Sequence, residues 1–119
     1  MKALHRILIL TSLLASLTCV ASAAEVQGIL MDKMCSASAV KQGQAFATKH
    51  DTKCALEPAC QKTGYGVFTA DNKFLALDAA GNAKAAAALK ATKKTDNLQV
   101  TVDGEVTGDT IKVASLKLQ

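Results

Sequence analysis

The stretch GYGVFTADNKFLALD, from Gly64 to Asp78, decides the fold class. Two short apolar runs, 65–69 and 73–77, flank the pair Asp71-Asn72, and these two residue types tolerate the positive φ of a tight turn. The stretch therefore predicts a β-hairpin. The segments on either side of it determine which kind of sheet the hairpin joins.

The segment after the hairpin, AAGNAKAAAALKATKK (79–94), is rich in alanine and lysine. These residues favour a helix, with Asn82 as the predicted N-cap and Leu89 as the one large apolar anchor. Its lysines are interpreted as a solvated face and as a complement to the C-terminal end of the helix dipole. They are Lys84, Lys90, Lys93 and Lys94.

A second hairpin is predicted in DNLQVTVDGEVTGDTIKVASLKL (96–118). Apolar and polar residues alternate from 98 to 102, and Gly108-Asp109 supplies the turn. In the last strand the apolar residues change face between Val113 and Leu116. That change of phase predicts a β-bulge or a strand that serves two surfaces.

The chain before the first hairpin begins with EVQGILMD (25–32), which predicts a strand in which Gly28 tolerates a bend. Residues 33–63 are polar and rich in small side chains. We expect them to form a long irregular loop, with short helical turns at 37–48 and around Lys53.

The predicted order is strand, long loop, hairpin, helix, hairpin. Five strands with a helix between the third and the fourth are typical of an OB-like β-barrel, so the sequence predicts a mainly β fold of this kind. An open five-stranded α+β sandwich fits the same order.

The N-terminal residues 1–24 read as a secretory signal peptide. The pattern consists of a basic start, an apolar run too short to span a membrane and a small-residue cleavage site after Ala23 or Ala24. Cys19 lacks the context of a lipoprotein anchor and is expected to leave with the signal. The sequence thus predicts a periplasmic or secreted protein without a membrane anchor, formed by one OB-like β-barrel domain (25–119).

The predicted mature chain carries little net charge. Loss of Lys2 and Arg6 with the signal lowers the formal net charge of +4 by two units, and no run of charges marks a polyanion-binding face. Because aromatic residues are also few, we expect no nucleic-acid partner. A small ligand, a metal ion or a protein remains as the expected partner.

Several stretches resemble small exported bacterial proteins with OB-like five-stranded barrels and scattered Cys and His residues in the first loop. The matching stretches are GILMDKMC, GYGVFTADNKFLALD and VTVDGEVTGDTIKVASLKL. The resemblance implies a periplasmic β-barrel domain and carries no known reaction. It also implies a Cys-x3-Cys pair, where this chain has the wider spacing Cys54-x5-Cys60.

The first loop concentrates the residues that can carry chemistry. Cys35, His50, Cys54 and Cys60 give the spacing C-x14-H-x3-C-x5-C. Three thiolates and one imidazole form a tetrahedral donor set for Zn²⁺. They also suit Cu(I), with Met31 and Met34 nearby. This Cys3His site is one interpretation of the loop.

A disulfide is the second interpretation, because an exported protein meets an oxidising compartment. A bond between Cys54 and Cys60 would cross the turn that Pro58 helps to form, since proline disfavours helical geometry at Glu57. A bond from Cys35 would close a longer loop and stabilise the fold by about 3 kcal/mol. The third cysteine would then be buried or would link two chains.

Chemistry at a thiol is the third interpretation. His50 and Cys54 are four residues apart, so one helical turn would place them on the same face. No C-x-x-C motif is present. Asp32, Asp51 and Glu57 could add oxygen ligands to a metal, but three acids in a surface loop are usually solvated. The sequence therefore favours a non-enzymatic exported binding or structural module with a disulfide-stabilised loop, and a soft-metal binding protein is the alternative.

Overall fold

The structure, a computed structural model, describes residues 23–119, so the predicted signal peptide lies outside the described residues except for its last two positions. The elements follow in the order β1 (Ala24–Asp32), α1 (Lys33–Gln42), α2 (Gln44–Lys49), α3 (Thr52–Ala55), α4 (Pro58–Thr63), β2 (Tyr65–Phe68), β3 (Phe74–Leu77), α5 (Ala79–Ala91), β4 (Gln99–Thr107) and β5 (Thr110–Leu118). The predicted five strands, the two hairpins and the helix between β3 and β4 are all present.

The five strands form one mixed sheet in the order β1-β2-β3-β5-β4. Strand β1 pairs antiparallel with β4 through residues 24–29 and with β2 through residues 29–32. The sheet closes on itself through a parallel contact of β3 with β5 that contains only two residue pairs. Ile29, which pairs on both sides, is where β1 passes from one neighbour to the other.

The predicted change of phase in the last strand is a β-bulge. Asp103 pairs with Ser115, but Gly104 pairs with Val113, so Ala114 is the extra residue in β5. Leu116 therefore packs against the same apolar cluster that buries Val113. The bulge lets both halves of β5 contribute to one interior.

The segment between β1 and β2 corrects the sequence prediction. It forms four helices, α1 to α4, instead of a long irregular loop, and the helices hold slightly more residues than the strands. The chain is therefore a mixed α and β structure and not mainly β. Pro58 acts as predicted, because Glu57 is extended (φ −61°, ψ 138°) and Pro58 begins α4. None of the described helices is long and apolar enough to span a membrane.

The sheet is buried on two sides at β1 and β2. Leu30 and Val67 point into the main cluster, together with Leu89 of α5. Met31 and Phe68 point the other way, into a smaller cluster covered by α1 and α2. Because successive side chains of a strand alternate between faces, the cover that α1 and α2 place on the outer face buries β1 and β2 on both sides.

The N-cap of α5 is Asp78 and not Asn82. The Asp78 carboxylate accepts the backbone N–H of Gly81, which starts the helix one turn earlier than predicted. Asn82 lies inside the helix, where its Oδ1 accepts the backbone N–H of Tyr65 at 2.7 Å and its Nδ2 donates to the carbonyl of Leu77 at 3.2 Å. Asn82 thus holds the start of β2 against α5.

Replacing Asn82 by alanine is expected to lower the free energy of unfolding by about 1–3 kcal/mol, because the N–H of the buried Tyr65 loses its acceptor. Urea unfolding followed by circular dichroism measures the change. Lys84→Ala, on the exposed face of the same helix, is the control and is expected to stay within about 0.5 kcal/mol of wild type. Equal stability of the two variants would show that Asn82 does not hold β2.

Candidate metal centre

Each of Cys35, Cys54 and Cys60 is the third residue of a short helix that an acidic residue precedes. The sequences are DKMC (32–35), DTKC (51–54) and EPAC (57–60), which begin α1, α3 and α4. Asp32 Oδ2 accepts the N–H of Cys35 at 2.9 Å, and Asp51 Oδ1 accepts the N–H of Cys54 at 2.6 Å. These N-caps satisfy helix donors that have no backbone partner and fix both cysteines in a first helical turn.

Hydrogen bonds anchor the helical segment, residues 33–63 with α1 to α4, to the rest of the domain. The N–H of Lys33 donates to the carbonyl of Gly64 at 2.9 Å, where Gly64 adopts a φ of +83° that favours glycine. The hydroxyl of Tyr65 donates to the carbonyl of Ala55 at 2.7 Å inside the core. The N–H of Thr52 donates to the carbonyl of Thr95 at 2.8 Å. These contacts hold the three cysteine-bearing turns in one place.

The three thiols converge. The Sγ atoms of Cys35, Cys54 and Cys60 all lie within 4.8 Å of one another. Cys60 is buried, and the other two are partly buried. A tetrahedral zinc site with Zn–S bonds of about 2.3 Å separates its sulfur atoms by about 3.8 Å, so the cluster matches a thiolate site within the reach of small side-chain shifts.

The surroundings keep two of these thiols protonated. Burial raises the pKa of Cys35, and the nearby Asp32 carboxylate and Cys54 raise it further. The pKa of Cys60 is raised by the same causes, with burial again the largest. Because the thiolate is the nucleophilic form, these pKa shifts do not favour thiol catalysis at Cys35 or Cys60. A bound cation would reverse them, because it stabilises the thiolate directly.

His50 pairs with an acid that the sequence analysis had interpreted as solvated. Its Nε2 lies 2.9 Å from Oδ1 of Asp32, whose side chain is fully buried, and the His50 side chain is 2% exposed. Burial alone would raise the pKa of Asp32, but the His50 imidazole and the N–H of Cys35 stabilise the carboxylate and lower its pKa below the usual value. Asp32 is therefore the charged centre of the helical segment.

The predicted Cys3His site divides into two groups that share one cysteine. The donor atoms of Asp32, Cys35 and His50 lie within 4.8 Å of one another, but His50 does not form one such group with all three cysteines. Both triads could bind a metal ion. Cys35 belongs to each of them, because it follows the Asp32 cap and also faces the two other thiols.

The proposed helical turn from His50 to Cys54 is wrong. Helix α2 ends at Lys49, and α3 begins at Thr52, so an extended residue separates the two side chains. Met31 is fully buried in the smaller apolar cluster, and Met34 is half exposed. The structure thus assigns Met31 to packing.

A cleft of about 380 Å³ opens beside the two triads. Cys35, His50 and Cys54 lie along it, together with Phe46 and Lys49. Because a metal site needs an entry path as well as its ligands, the cleft is a route by which a cation or a small ligand reaches the thiols.

Comparison with protein-family models, with curated proteins and with solved structures found no match.

Asp32 is the residue that the sequence analysis considered as an oxygen ligand but interpreted as solvated. The recurring acid-x-x-Cys spacing at 32–35, 51–54 and 57–60 carries the signal, because an acid three residues before a helical position is a typical N-cap pattern. That spacing marks three helix starts, of which Asp32 and Asp51 form side-chain caps and Glu57 does not. It does not predict which acid is buried beside His50, since this depends on packing against β1.

Proposed function

We propose that this protein is an exported soft-metal binding protein that holds Zn²⁺ or Cu(I) with the thiolates of Cys35, Cys54 and Cys60. One observation carries the proposal, the convergence of three thiols from three separate helices within 4.8 Å. Three sulfur donors in one place are typical ligands for zinc and for Cu(I), and thiolates select soft cations.

The shortness of the helices that carry the thiols supports metal binding. The helices α3 and α4 contain four and six residues, so they have little stability of their own. A cation that bonds one thiol from each of α1, α3 and α4 would join them. Short elements held by a metal in place of a large core are common in small domains.

A disulfide among the same cysteines is the second candidate, and it would make the protein an exported module with a cross-linked loop. The same convergence favours it. All three cysteines are free thiols in the structure. Their oxidation state depends on the compartment as well as on the fold, so the disulfide stays a prediction.

We also propose that the domain is an OB-like barrel in the periplasm. The return of the sheet to β1 and the position of α5 between β3 and β4 support the first part. The pattern of residues 1–24 supports the second.

The experiment is metal binding by the reduced protein, prepared without oxygen and freed of metal with a chelator. Zinc and Cu(I) are added separately, and the bound metal per chain is measured by elemental analysis. We expect the wild-type protein to retain metal against a weak competing chelator, and the double variant Cys54→Ser/Cys60→Ser to lose at least one equivalent. Equal retention by both proteins would contradict the proposal.

The control variant is Met34→Leu, which changes an exposed sulfur beside Cys35 and leaves the thiols intact. It is expected to bind as the wild type does. Counting thiols that react with an alkylating agent in protein taken from the periplasm separates the disulfide candidate. One reactive thiol per chain with no bound metal would favour the disulfide, and three reactive thiols would exclude it.

A further inference from the structure

We propose that Asp32, Cys35 and His50 form a second cation site, which takes a divalent ion such as Zn²⁺ and shares the Cys35 thiolate with the three-cysteine site. The inference rests on the proposed function for the shared ligand, Cys35. Asp32 and His50 belong to the second site alone. Its oxygen, nitrogen and sulfur ligands are all of types that zinc accepts.

The first argument is that this triad contains buried polar atoms without hydrogen-bond partners. Among the described residues, the buried side-chain nitrogen and oxygen atoms that lack one are Asp32 Oδ1 and the two ring nitrogens of His50. Buried polar atoms nearly always have a hydrogen-bond partner. Three unpaired atoms in one place therefore favour a site where a cation binds them.

The second argument is the geometry of the contact between the two side chains. His50 Nε2 and Asp32 Oδ1 are 2.9 Å apart, yet they do not meet hydrogen-bond geometry. Two ligands of one tetrahedral zinc ion, with bonds of about 2.0–2.1 Å, lie about 3.3 Å apart. A shift of a few tenths of an ångström would bring both atoms to that arrangement, and Cys35 Sγ lies within 4.8 Å of a ligand atom of each residue.

The third argument is the local charge. A cation at the three-cysteine site binds thiolates, so Cys35 then carries a negative charge close to the buried Asp32 carboxylate. Two negative groups side by side away from water are costly, and a second cation between them offsets that cost.

The fourth argument is the second oxygen of Asp32. Its Oδ2 accepts the N–H of Cys35, which orients the carboxylate and leaves Oδ1 for the ion. A ligating carboxylate held by a backbone donor is typical of protein metal sites. The same hydrogen bond places Cys35 beside the ion.

The test is the number of zinc ions bound per chain by the reduced full-length domain, measured by titration against a coloured chelator. The variant Asp32→Asn/His50→Gln keeps two polar side chains of similar size and removes the charge and the imidazole, and circular dichroism confirms its fold. Wild type is expected to bind two equivalents, and this variant one. Cys54→Ser/Cys60→Ser is also expected to retain one equivalent, held at the second site.

Cobalt(II) gives an independent readout, because absorption from sulfur-to-cobalt charge transfer grows with the number of thiolate ligands. The equivalent retained by Asp32→Asn/His50→Gln is expected to show the stronger band of three thiolates, and the one retained by Cys54→Ser/Cys60→Ser the weaker band of one. This pair of spectra assigns each ion to its triad.

Two results would overturn the second site. One is a single zinc equivalent in wild type that Asp32→Asn/His50→Gln leaves unchanged, which makes the Asp32–His50 pair purely structural. The other is a single equivalent that the same variant weakens, which makes the pair part of one site. Failure of the three-cysteine site is separate, because it appears as no loss in Cys54→Ser/Cys60→Ser.

Discussion

Replacing Asp32 by alanine in the metal-free, reduced protein is expected to lower the free energy of unfolding by about 2–4 kcal/mol, because a helix N-cap (about 1 kcal/mol) and the polar partner of a buried imidazole (about 1–3 kcal/mol) are lost together. The carboxylate is fully buried, lies 2.9 Å from His50 and caps α1 at Cys35. The substitution leaves a buried imidazole without its acid and a helix without its cap. Denaturant unfolding followed by circular dichroism measures the change.

Asp51→Ala is the matched control. Asp51 also precedes a cysteine by three residues and caps its N–H, but it is exposed, and His50 pairs with Asp32 and not with Asp51. Its loss is expected to cost only about 1 kcal/mol, the typical value of an N-cap. Equal losses in the two variants would show that Asp32 acts as a cap alone and that its contact with His50 contributes nothing to stability.

Zinc is expected to raise the stability of the reduced protein by about 4 kcal/mol when free zinc exceeds its dissociation constant a thousand-fold. A domain of this size gains about 4–8 °C in Tm for each kcal/mol, so the midpoint should rise by roughly 15 °C or more. The reason is that the folded chain brings together thiols from α1, α3 and α4, which the unfolded chain leaves far apart. A thermal melt with and without zinc, in the presence of a non-thiol reductant, measures the shift.

Cys35→Ser removes the ligand that both triads share and is expected to abolish most of the shift, whereas Met34→Leu is expected to retain it. If zinc were bound but left the Tm of wild type unchanged, the unfolded chain would hold zinc as tightly as the folded one. That result would contradict a site made by the fold.

Local patterns were enough for the strands because each depends on neighbouring residues. Alternation at 98–102 and the turn at Gly108-Asp109 were correctly predicted, and the bulge between Val113 and Leu116 was one of the two predicted alternatives for the change of phase. Asn82 was assigned wrongly as a cap, because Asp78 competes for the same role one turn earlier and Asn82 has a partner in β2. The competition between two polar residues near a helix start is decided by tertiary contacts.

The helical segment shows the same limit on a larger scale. Residues 33–63 are small and polar, which is typical of a loop, yet caps at Asp32 and Asp51 and burial of Ala39 and Ala47 make helices there. Alanine gives only a weak hydrophobic signal in a sequence, because its side chain is small. It becomes a core residue when a helix packs closely on a sheet, because its small side chain permits that approach.

By itself, the sequence determined the order of the strands along the chain and the helix break at Pro58. It also placed three cysteines and one histidine in the segment after β1. The tertiary structure decided which of these donors meet. It brought the three thiols together from three helices and paired His50 with Asp32 instead of with Cys54. The physical reason is that spacing along the chain fixes distances only within one helix or strand, while distances between elements follow from how those elements pack against the sheet.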